Sequence, residues 1–391
     1  MLACLPLRAQ WRSIAGFGDQ SVAAMINADE AGLFVALRNK TVLRSDDDGG
    51  TWSRRDFGIA DTEQIYSFTE HDGALIAATY RGALFRSTDA GAVWVLLSRQ
   101  SDAPTVNLVF SYGAYLWLAT SNQAVLRSLD GVQWTAAQKG LREGDAVLAM
   151  AVHANDLYAG TSTGVARWSE SAQSWQYISD GLTGRRVFSL QSAADNLYAG
   201  SDADGIYVRT PELSFWQKLS TGFSGGAAVA DLSPVGGSVA AATLGGEVVV
   251  WEPFLQSWHN IAAGLPTGLQ PAVLMTSGTT LYVGGVGKGL YSRDLRNVVL
   301  DVDESSRDAA PQVRMHCAGS QVSVVNSGVS GQVFELEVFS LRGVSVAGEK
   351  VRVAAGESKL VELPRSLAAG VYLVRLRGAA ANLSGAIVVG R

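Results

Sequence analysis

Ser45-Asp46-Asp47-Asp48-Gly49-Gly50-Thr51-Trp52 ends on a tryptophan that returns at almost fixed spacing along most of the chain. Trp11, Trp52, Trp94, Trp134, Trp175, Trp216 and Trp258 are separated by 41, 42, 40, 41, 41 and 42 residues; Trp117, Trp168 and Trp251 stand outside the series. A period near 41 suits a four-stranded propeller blade of about 40–45 residues. Each period repeats one grammar. An apolar strand comes first, such as Ile65-Tyr66-Ser67-Phe68 or Val187-Phe188-Ser189-Leu190. After a polar turn, a second strand ends in small residues, as in Leu75-Ile76-Ala77-Ala78-Thr79 and Leu157-Tyr158-Ala159-Gly160-Thr161. A third strand and a turn then lead to the Trp. Alternation with period two and enrichment in β-branched and aromatic residues favour strands over helices. Gly58, Gly140, Gly181, Gly222 and Gly264 each follow a periodic Trp by six residues, where glycine gives a turn with φ > 0 at no steric cost.

Counting outward from this repeat gives seven blades. Six complete units run from about 19 to 265. A seventh, about 266 to 295, has three strands, including Leu281-Tyr282-Val283-Gly284-Gly285, and no Trp after Tyr291-Ser292-Arg293-Asp294. The missing strand stands at the other end of the chain, Trp11-Arg12-Ser13-Ile14. The expected fold is all-β: a seven-bladed β-propeller over 11–295, closed by the N-terminal strand pairing into the last blade, followed by a small C-terminal β-sandwich. Closure removes the free sheet edges.

Composition agrees. The 391 residues contain 47% hydrophobic and 17% charged residues, 43 Gly, 12 Phe, 11 Tyr and 10 Trp. A disordered chain is poor in aromatics and rich in charge, so disorder is excluded. A net charge of −5 gives no reason to expect a nucleic-acid partner, which usually calls for a basic face. No run of about 18 apolar residues exists, so no transmembrane segment is expected. Of the two cysteines, Cys4 lies in residues 1–10, read as the remnant of a signal peptide, and Cys317 alone makes no intrachain disulfide.

The turn before the first of the blade tryptophans resembles the Asp-box of bacterial neuraminidase-type (BNR) repeats, Ser-x-Asp-x-Gly-x-Thr-Trp. Ser45, Asp47, Gly49, Thr51 and Trp52 match it at every position; Ser87, Asp89, Gly91 and Trp94 keep all but the Thr; Ser128, Asp130 and Trp134 sit in a turn one residue shorter. Blades four to six keep the Trp and lose the Asp. The resemblance implies that these residues are structural and lie away from the ligand face. Among Asp-box proteins, sialidases have six blades and an Arg-Ile-Pro motif that this chain lacks. Xyloglucan-degrading glycosidases join two propellers, and sortilin-type receptors have ten blades. Photosystem II stability factors share the single seven-bladed ring, and the units are also similar to propeller repeats of bacterial two-component sensors. Fold alone fixes no function.

Residues 296–311 read as an acidic linker ending at Pro311, and 312–391 as the sandwich. Val338-Phe339-Ser340-Leu341-Arg342-Gly343, Leu367-Ala368-Ala369-Gly370-Val371-Tyr372-Leu373-Val374-Arg375 and the ending Ala386-Ile387-Val388-Val389-Gly390-Arg391 resemble the type A C-terminal sorting domain of type IX secretion. Ala318-Gly319-Ser320-Gln321 stands where that family opens with Tyr-Pro-Asn-Pro. The resemblance implies type IX machinery as a partner, with Leu367, Ala369, Gly370, Val371 and Tyr372 as the sorting motif. It also implies a protein secreted or held on the outer surface of a Bacteroidetes-like bacterium.

No catalytic constellation can be picked out. His71, His153, His259 and His316 fall in unrelated places with no zinc spacing, so no metal or cofactor is expected. The Asp46–Asp48 run lacks the further ligands of a calcium loop. In propellers the usual ligand face is built by loops before the first strand and between the second and third strands of each blade. These loops hold Arg38, Tyr80, Arg81, Glu143, Asp145, Arg185, Arg186, Asp202, Asp204 and Lys288. Mixed charge with aromatics suits a glycan or a protein ligand. Arg44, Arg86, Arg127, Arg167 and Arg209 recur near the repeat period and read as structural rungs. The expected function is therefore an exported, non-catalytic binding propeller. The alternatives are a glycoconjugate hydrolase using Glu143, Asp145, Asp202 or Asp204, or a periplasmic assembly factor resembling the photosystem type.

Overall fold

Seven four-stranded antiparallel sheets follow one another along the chain. The computed structural model describes residues 11–59, 63–99, 105–121, 125–182, 184–202, 204–219, 221–223, 226, 228–252, 256–295, 313–318, 321–326, 332–340, 345–355, 357–364, 370–378 and 382–389. The first blade is Val22–Ala28, Gly32–Leu37, Val42–Ser45 and Ser53–Arg54, innermost to outermost, and the next five repeat this order. The seventh has Pro271–Ser277, Thr280–Gly285 and Leu290–Asp294, and takes Arg12–Ser13 as its outermost strand. Arg12 pairs with Ser292 and Ser13 with Tyr291, and the Ile14 N–H donates to the Leu290 carbonyl at 2.9 Å. The ring is thus closed by the N-terminal strand, as its sequence requires.

The second strand of each blade is buried almost throughout because both its faces meet neighbouring sheets. Ala74–Thr79 and Ser238–Thr243 are buried at every position. Small residues there let the blades approach. A Cβ added to Gly160 would lie 2.7 Å from Val187, and one added to Gly284 would lie 2.6 Å from Val22, each on the next blade.

The tryptophans join blades in two ways. Trp94, Trp175, Trp216, Trp258 and Trp11 donate Nε1–H to carbonyls of the preceding blade: Arg55 at 2.7 Å, Ala137 at 2.8 Å, Ile178 at 2.7 Å, Leu219 at 3.1 Å and Ile261 at 2.7 Å. The first four also donate backbone N–H to Phe57, Lys139, Asp180 and Thr221. Trp52 and Trp134 instead donate to the glycine carbonyl of their own turn, Gly49 at 3.2 Å and Gly131 at 3.1 Å.

In the first turn the Ser45 hydroxyl donates to Asp47 Oδ1 at 2.8 Å and accepts from Gly49 N–H at 2.8 Å. Asp47 accepts from the Thr51 N–H and hydroxyl, both at 2.8 Å. The Thr51 N–H, then the Ser45 and Thr51 hydroxyls, lower the Asp47 pKa to about 2. Ser87–Asp89–Gly91 and Ser128–Asp130–Gly131 repeat the pattern, and both carboxylates are held below their ordinary value, chiefly by backbone N–H groups.

The chain divides into two compact units, and the propeller unit comprises Trp11–Glu252 and Gln256–Arg293. The other contains Asp294–Arg391. Its strands form a three-stranded sheet (Val313–Ala318, Gln321–Asn326, Ser358–Glu362) and a four-stranded one (Ser345–Val353, Gln332–Ser340, Gly370–Gly378, Asn382–Val389). Val322, Val324 and Val361 of the first sheet share one core with Phe334, Leu336, Val338, Val351, Val353 and Val374 of the second. The signal remnant 1–10, the linker 296–311, and Leu367 and Ala369 of the sorting motif lie outside the described residues. Gly370, Val371 and Tyr372 begin a strand, with Val371 opposite Val388 and Tyr372 opposite Ile387. Among the described residues, no helix is long and apolar enough to cross a membrane.

Candidate functional site: the mouth of the ring

Because the strands of each blade alternate in direction, the loops before the innermost strand and those after the second strand lie at the same end. One hydrogen bond ties the two loops in every blade. The N–H of the residue after the second strand donates to the carbonyl of the residue just before the innermost strand. The pairs are Arg38 to Ser21, Tyr80 to Gln64, Ser121 to Thr105, Ser162 to Ala146, Asp202 to Arg186, Leu244 to Ala228, and Val286 to Gln270, all at 2.9–3.1 Å. The chain thus builds a seven-position mouth: Arg38, Tyr80, Ser121, Ser162, Asp202, Leu244 and Val286. Each innermost strand also carries a register shift after its first residue. Such a bulge re-aims the extra side chain; Tyr66 and Asn107 occupy two of these bulges.

Of the residues singled out from sequence, Arg38, Tyr80, Asp202 and Arg186 belong to this backbone ring. Tyr80 is 48% exposed and leans on Tyr66, with centroids 5.7 Å apart at 57°. Arg38, Arg81, Glu143, Arg185 and Arg186 are exposed, and Lys288 is half-buried. Ser21 joins two blades here: its carbonyl takes the Arg38 N–H and its hydroxyl takes the Gly287 N–H at 2.8 Å, which sets Arg38 and Lys288 on either side of it in the backbone.

Asp145 and Asp204 are placed differently from Glu143 and Asp202. Asp145 is 2% exposed. Its carboxylate accepts from the hydroxyls of Ser162 (2.9 Å), Thr163 (2.5 Å), Thr161 (3.3 Å) and Tyr177. Arg142 lies 4.0 Å over the Tyr177 ring and donates to the Thr163 hydroxyl at 2.9 Å, closing the knot. Burial raises the Asp145 pKa, but the hydroxyl bonds outweigh it and the net shift is downward. Asp204 takes Lys218 Nζ at 2.6 Å, the Tyr207 hydroxyl at 2.5 Å and the Arg185 guanidinium at 3.2 Å. The hydrogen bond from Lys218, then that from Tyr207, holds it low. Burial, then Asp204, pushes Tyr207 up to about 12.

Asp231 is the carboxylate pushed upward, to about 7, by burial. It stands on the innermost strand Val229–Val235. One of its oxygens accepts the Leu274 N–H of the next blade and the other its neighbour's Leu232 N–H, both at 2.8 Å. Ser67 makes the same crossing, its hydroxyl accepting the Val109 N–H at 3.2 Å. Asp231 is therefore a tie between blades. No group of His, Cys, Asp and Glu suited to a metal ion occurs among the described residues.

Sequence reasoning missed the apolar arc of the mouth, Leu244 and Val286, which are 50% and 37% exposed. Its signal is positional: both follow a small-residue strand, Ala240-Ala241-Ala242-Thr243 and Val283-Gly284-Gly285, where other blades place a polar residue or Tyr80. It also missed Tyr66. Arg127, read as a rung, sits 4.6 Å over Tyr115 and 5.5 Å over Trp168, beside Trp117. Trp117, Trp168 and Trp175 pack edge-on at 5.0–5.9 Å and Trp251 packs on Trp258 at 5.2 Å, so all three off-period tryptophans are core.

No protein-family profile matches the sequence, and no curated protein does. Solved structures do. The chain is similar to YCF48 from Cyanidioschyzon merolae (TM-score 0.60, 16% identity, covering 74% of this chain and 100% of that one). It is also similar to a YCF48 bound to D1 peptide (0.59, 17%, 75% and 96%). The extracellular domain of the hybrid two-component system BT4673 from B. thetaiotaomicron matches with a TM-score of 0.61 at 12% identity, over 95% of this chain and 52% of that one. At these identities the likeness is one of fold, the seven-bladed β-propeller.

Proposed function

We propose that this chain is an exported binding propeller of the Asp-box type, without catalytic chemistry, whose mouth receives an extended peptide or a glycan. The commitment of the rim carboxylates carries the reading. Glycoside hydrolysis needs one carboxyl held protonated and a second free to attack or to activate water. Asp145 is sealed by four hydroxyls and Asp204 is tied to two cations, both with lowered pKa. What faces a ligand is a set of donors from Arg38, Arg81, Arg186 and Lys288, the Tyr66–Tyr80 pair, and the aliphatic arc of Leu244 and Val286. Apolar surface with a few convergent polar groups suits recognition. The YCF48 bound to D1 peptide supports a peptide as one ligand class for a ring of this fold. The Ser–Asp–Gly turns support the Asp-box reading, in which they hold hairpins and bind nothing.

The C-terminal unit is, in this reading, an address for type IX secretion, which delivers the propeller to the medium or to the outer cell surface. Full-length protein applied to glycan and peptide arrays tests the binding claim. Retention without shortened sugars, lost in Arg38→Ala and Tyr80→Ala, is expected. Shortened sugars would make the chain a hydrolase and return attention to Glu143 and Asp202; no retention on either array overturns the binding reading. For export, residues 312–391 are fused to a reporter in a bacterium with type IX machinery. Reporter outside the cell is expected. Reporter held in the periplasm would favour an assembly-factor role there.

A further inference from the structure

Blades six, seven and one stand side by side where the ring closes, and they line the mouth with small residues. In all seven innermost strands the first residue is buried and the register skips the one after it. That second residue is half-buried or exposed in every blade, so it is the side chain the bulge turns toward the opening. From blade two to blade five it is Tyr66, Asn107, Leu148 and Phe188; in blades six, seven and one it is Ala230, Ala272 and Ala23. Adjacent alanines leave the inner wall set back on this side, where Leu148 and Phe188 fill it on the other. The three blades are tied at this level. Asp231, next to Ala230, accepts the Leu274 N–H of blade seven at 2.8 Å, and the Ser21 hydroxyl accepts the Gly287 N–H at 2.8 Å.

Leu244 and Val286 stand over this recess. The Ala228 carbonyl takes the Leu244 N–H at 2.9 Å and the Gln270 carbonyl takes that of Val286 at 3.1 Å, which fixes each aliphatic residue beside its own blade's alanine. The charge around this arc is mainly positive. The loops after the second strands of blades six, seven, one and two carry Arg38, Lys40, Arg81 and Lys288 against Glu247, and Glu247 takes the Asn260 amide at 3.4 Å. In the loops before the innermost strands Asp19 is an exposed carboxylate, while Glu63 is paired with Arg99 at 2.6 Å and Asp56 with Arg54 at 2.7 Å.

We infer that this side of the mouth takes an extended peptide by one bulky apolar side chain, seated against Ala23, Ala230, Ala272, Leu244 and Val286, with a neighbouring carboxylate held by Arg38 and Lys288. The inference rests on the reading of the mouth as a binding face and names its ligand. A sugar ring carries hydroxyls round its rim; against these aliphatic side chains they would lose water and gain no partner. A leucine or phenylalanine side chain gains from the same transfer. The excess of cations calls for the negative charge beside it. That charge comes from an acidic side chain or from a chain end.

Full-length protein applied to an array of glycine-spaced peptides, with a glycan array beside it, tests this. The peptides carry Leu, Phe or Ser at one position, followed by Asp or Asn, and end as free acid or amide. Leu and Phe peptides should be retained roughly tenfold or more above their Ser counterparts. Preference for Asp over Asn assigns the carboxylate to a side chain, and preference for acid over amide assigns it to a chain end. Either supports the inference, and the absence of both overturns it. Ala272→Phe gives blade seven the residue of blade five and should remove the Leu and Phe preference; if it misfolds, Ala230→Phe reads the same recess. Arg38→Gln should erase the carboxylate preference and keep that for Leu over Ser. Peptides retained without regard to Leu or Ser, or untouched by a folded phenylalanine variant, overturn this inference and leave the binding reading standing. Glycans retained in place of peptides do the same. Nothing retained on either array overturns both.

Discussion

Five of the periodic tryptophans reach across to the preceding blade, and two, Trp52 and Trp134, fold back onto their own turns. The Asp turn does not decide which. Trp94 follows a complete Ser–Asp–Gly turn and still bonds to Arg55 of the preceding blade. What separates the two groups is the residue six places after the preceding Trp. Before the five crossing tryptophans it is Gly58, Gly140, Gly181, Gly222 and Gly264. Before the other two it is Phe17 and Gln100. A Cβ on the first four glycines would fall 2.0–2.2 Å from the carbonyl oxygen of the next Trp, a distance no side chain permits. Phe17 instead sets its ring edge-on to Trp52 at 5.2 Å. Glycine lets the next Trp backbone close in, and the indole N–H then finds its acceptor.

Breaking the close approach should cost most. Gly140→Ala puts a Cβ 2.2 Å from the Trp175 oxygen at φ +90°, and about 3 kcal/mol or more of stability should be lost in urea titration. Gly144→Ala is the control: its φ is +88° but an added Cβ would meet nothing within 4 Å, so only the backbone cost of about 1–2 kcal/mol is expected. Trp175→Phe comes next. It strands the Ala137 carbonyl in a buried setting and should cost about 1–3 kcal/mol, clearly more than Trp52→Phe, whose indole bonds within its own half-buried turn. The comparison fails if the two cost the same.

The tie at Asp231 sharpens the contrast with a pH dependence. Its carboxyl titrates at about 7 in the fold, against 3.8 ordinarily. The unfolded chain gives up that proton first, so its contribution to stability falls as pH rises from about 4 to about 7 and is flat above. Asp231→Asn should remove that slope, with the loss of one of the two backbone N–H bonds, since an amide has only one acceptor oxygen. Equal slopes in both proteins would refute the raised Asp231 pKa. The smallest effect is local. The Asp47 carboxylate should titrate near 2 by NMR and move back toward 3.8 in Thr51→Val, because Thr51→Val removes the hydroxyl bond. Asp47 stabilises its turn above its ordinary pKa and loses that contribution as pH falls through about 2.

Blade number and ring closure were legible because they are written in the local pattern: period-two strands, a Trp every 41 residues or so, and a last unit lacking the strand that the N-terminus holds. The role of the glycines was only half legible. A turn with φ > 0 can be read from spacing, but the approach of the next blade's Trp is a contact across about 36 residues that no local window contains. The mouth was legible as a set of loops and less so as side chains. Asp145 looks open in sequence, yet its partners come from positions 161, 162, 163 and 177, which only the fold assembles. Leu244 and Val286 were hidden because an aliphatic residue after a buried strand reads as its continuation.

Arg12 and Ser13, which close the ring on Ser292 and Tyr291, are also among the first propeller residues to leave the ribosome. They must wait, unpaired, until about 280 more residues have been made, since their partners belong to the last blade. Contacts of such sequence separation are slow to form. The ring therefore becomes a ring only as a final event, and a chain interrupted anywhere before Leu290 is left as an open spiral with two raw sheet faces. A latch whose partners are made last cannot engage early, so closure is the last thing this chain assembles.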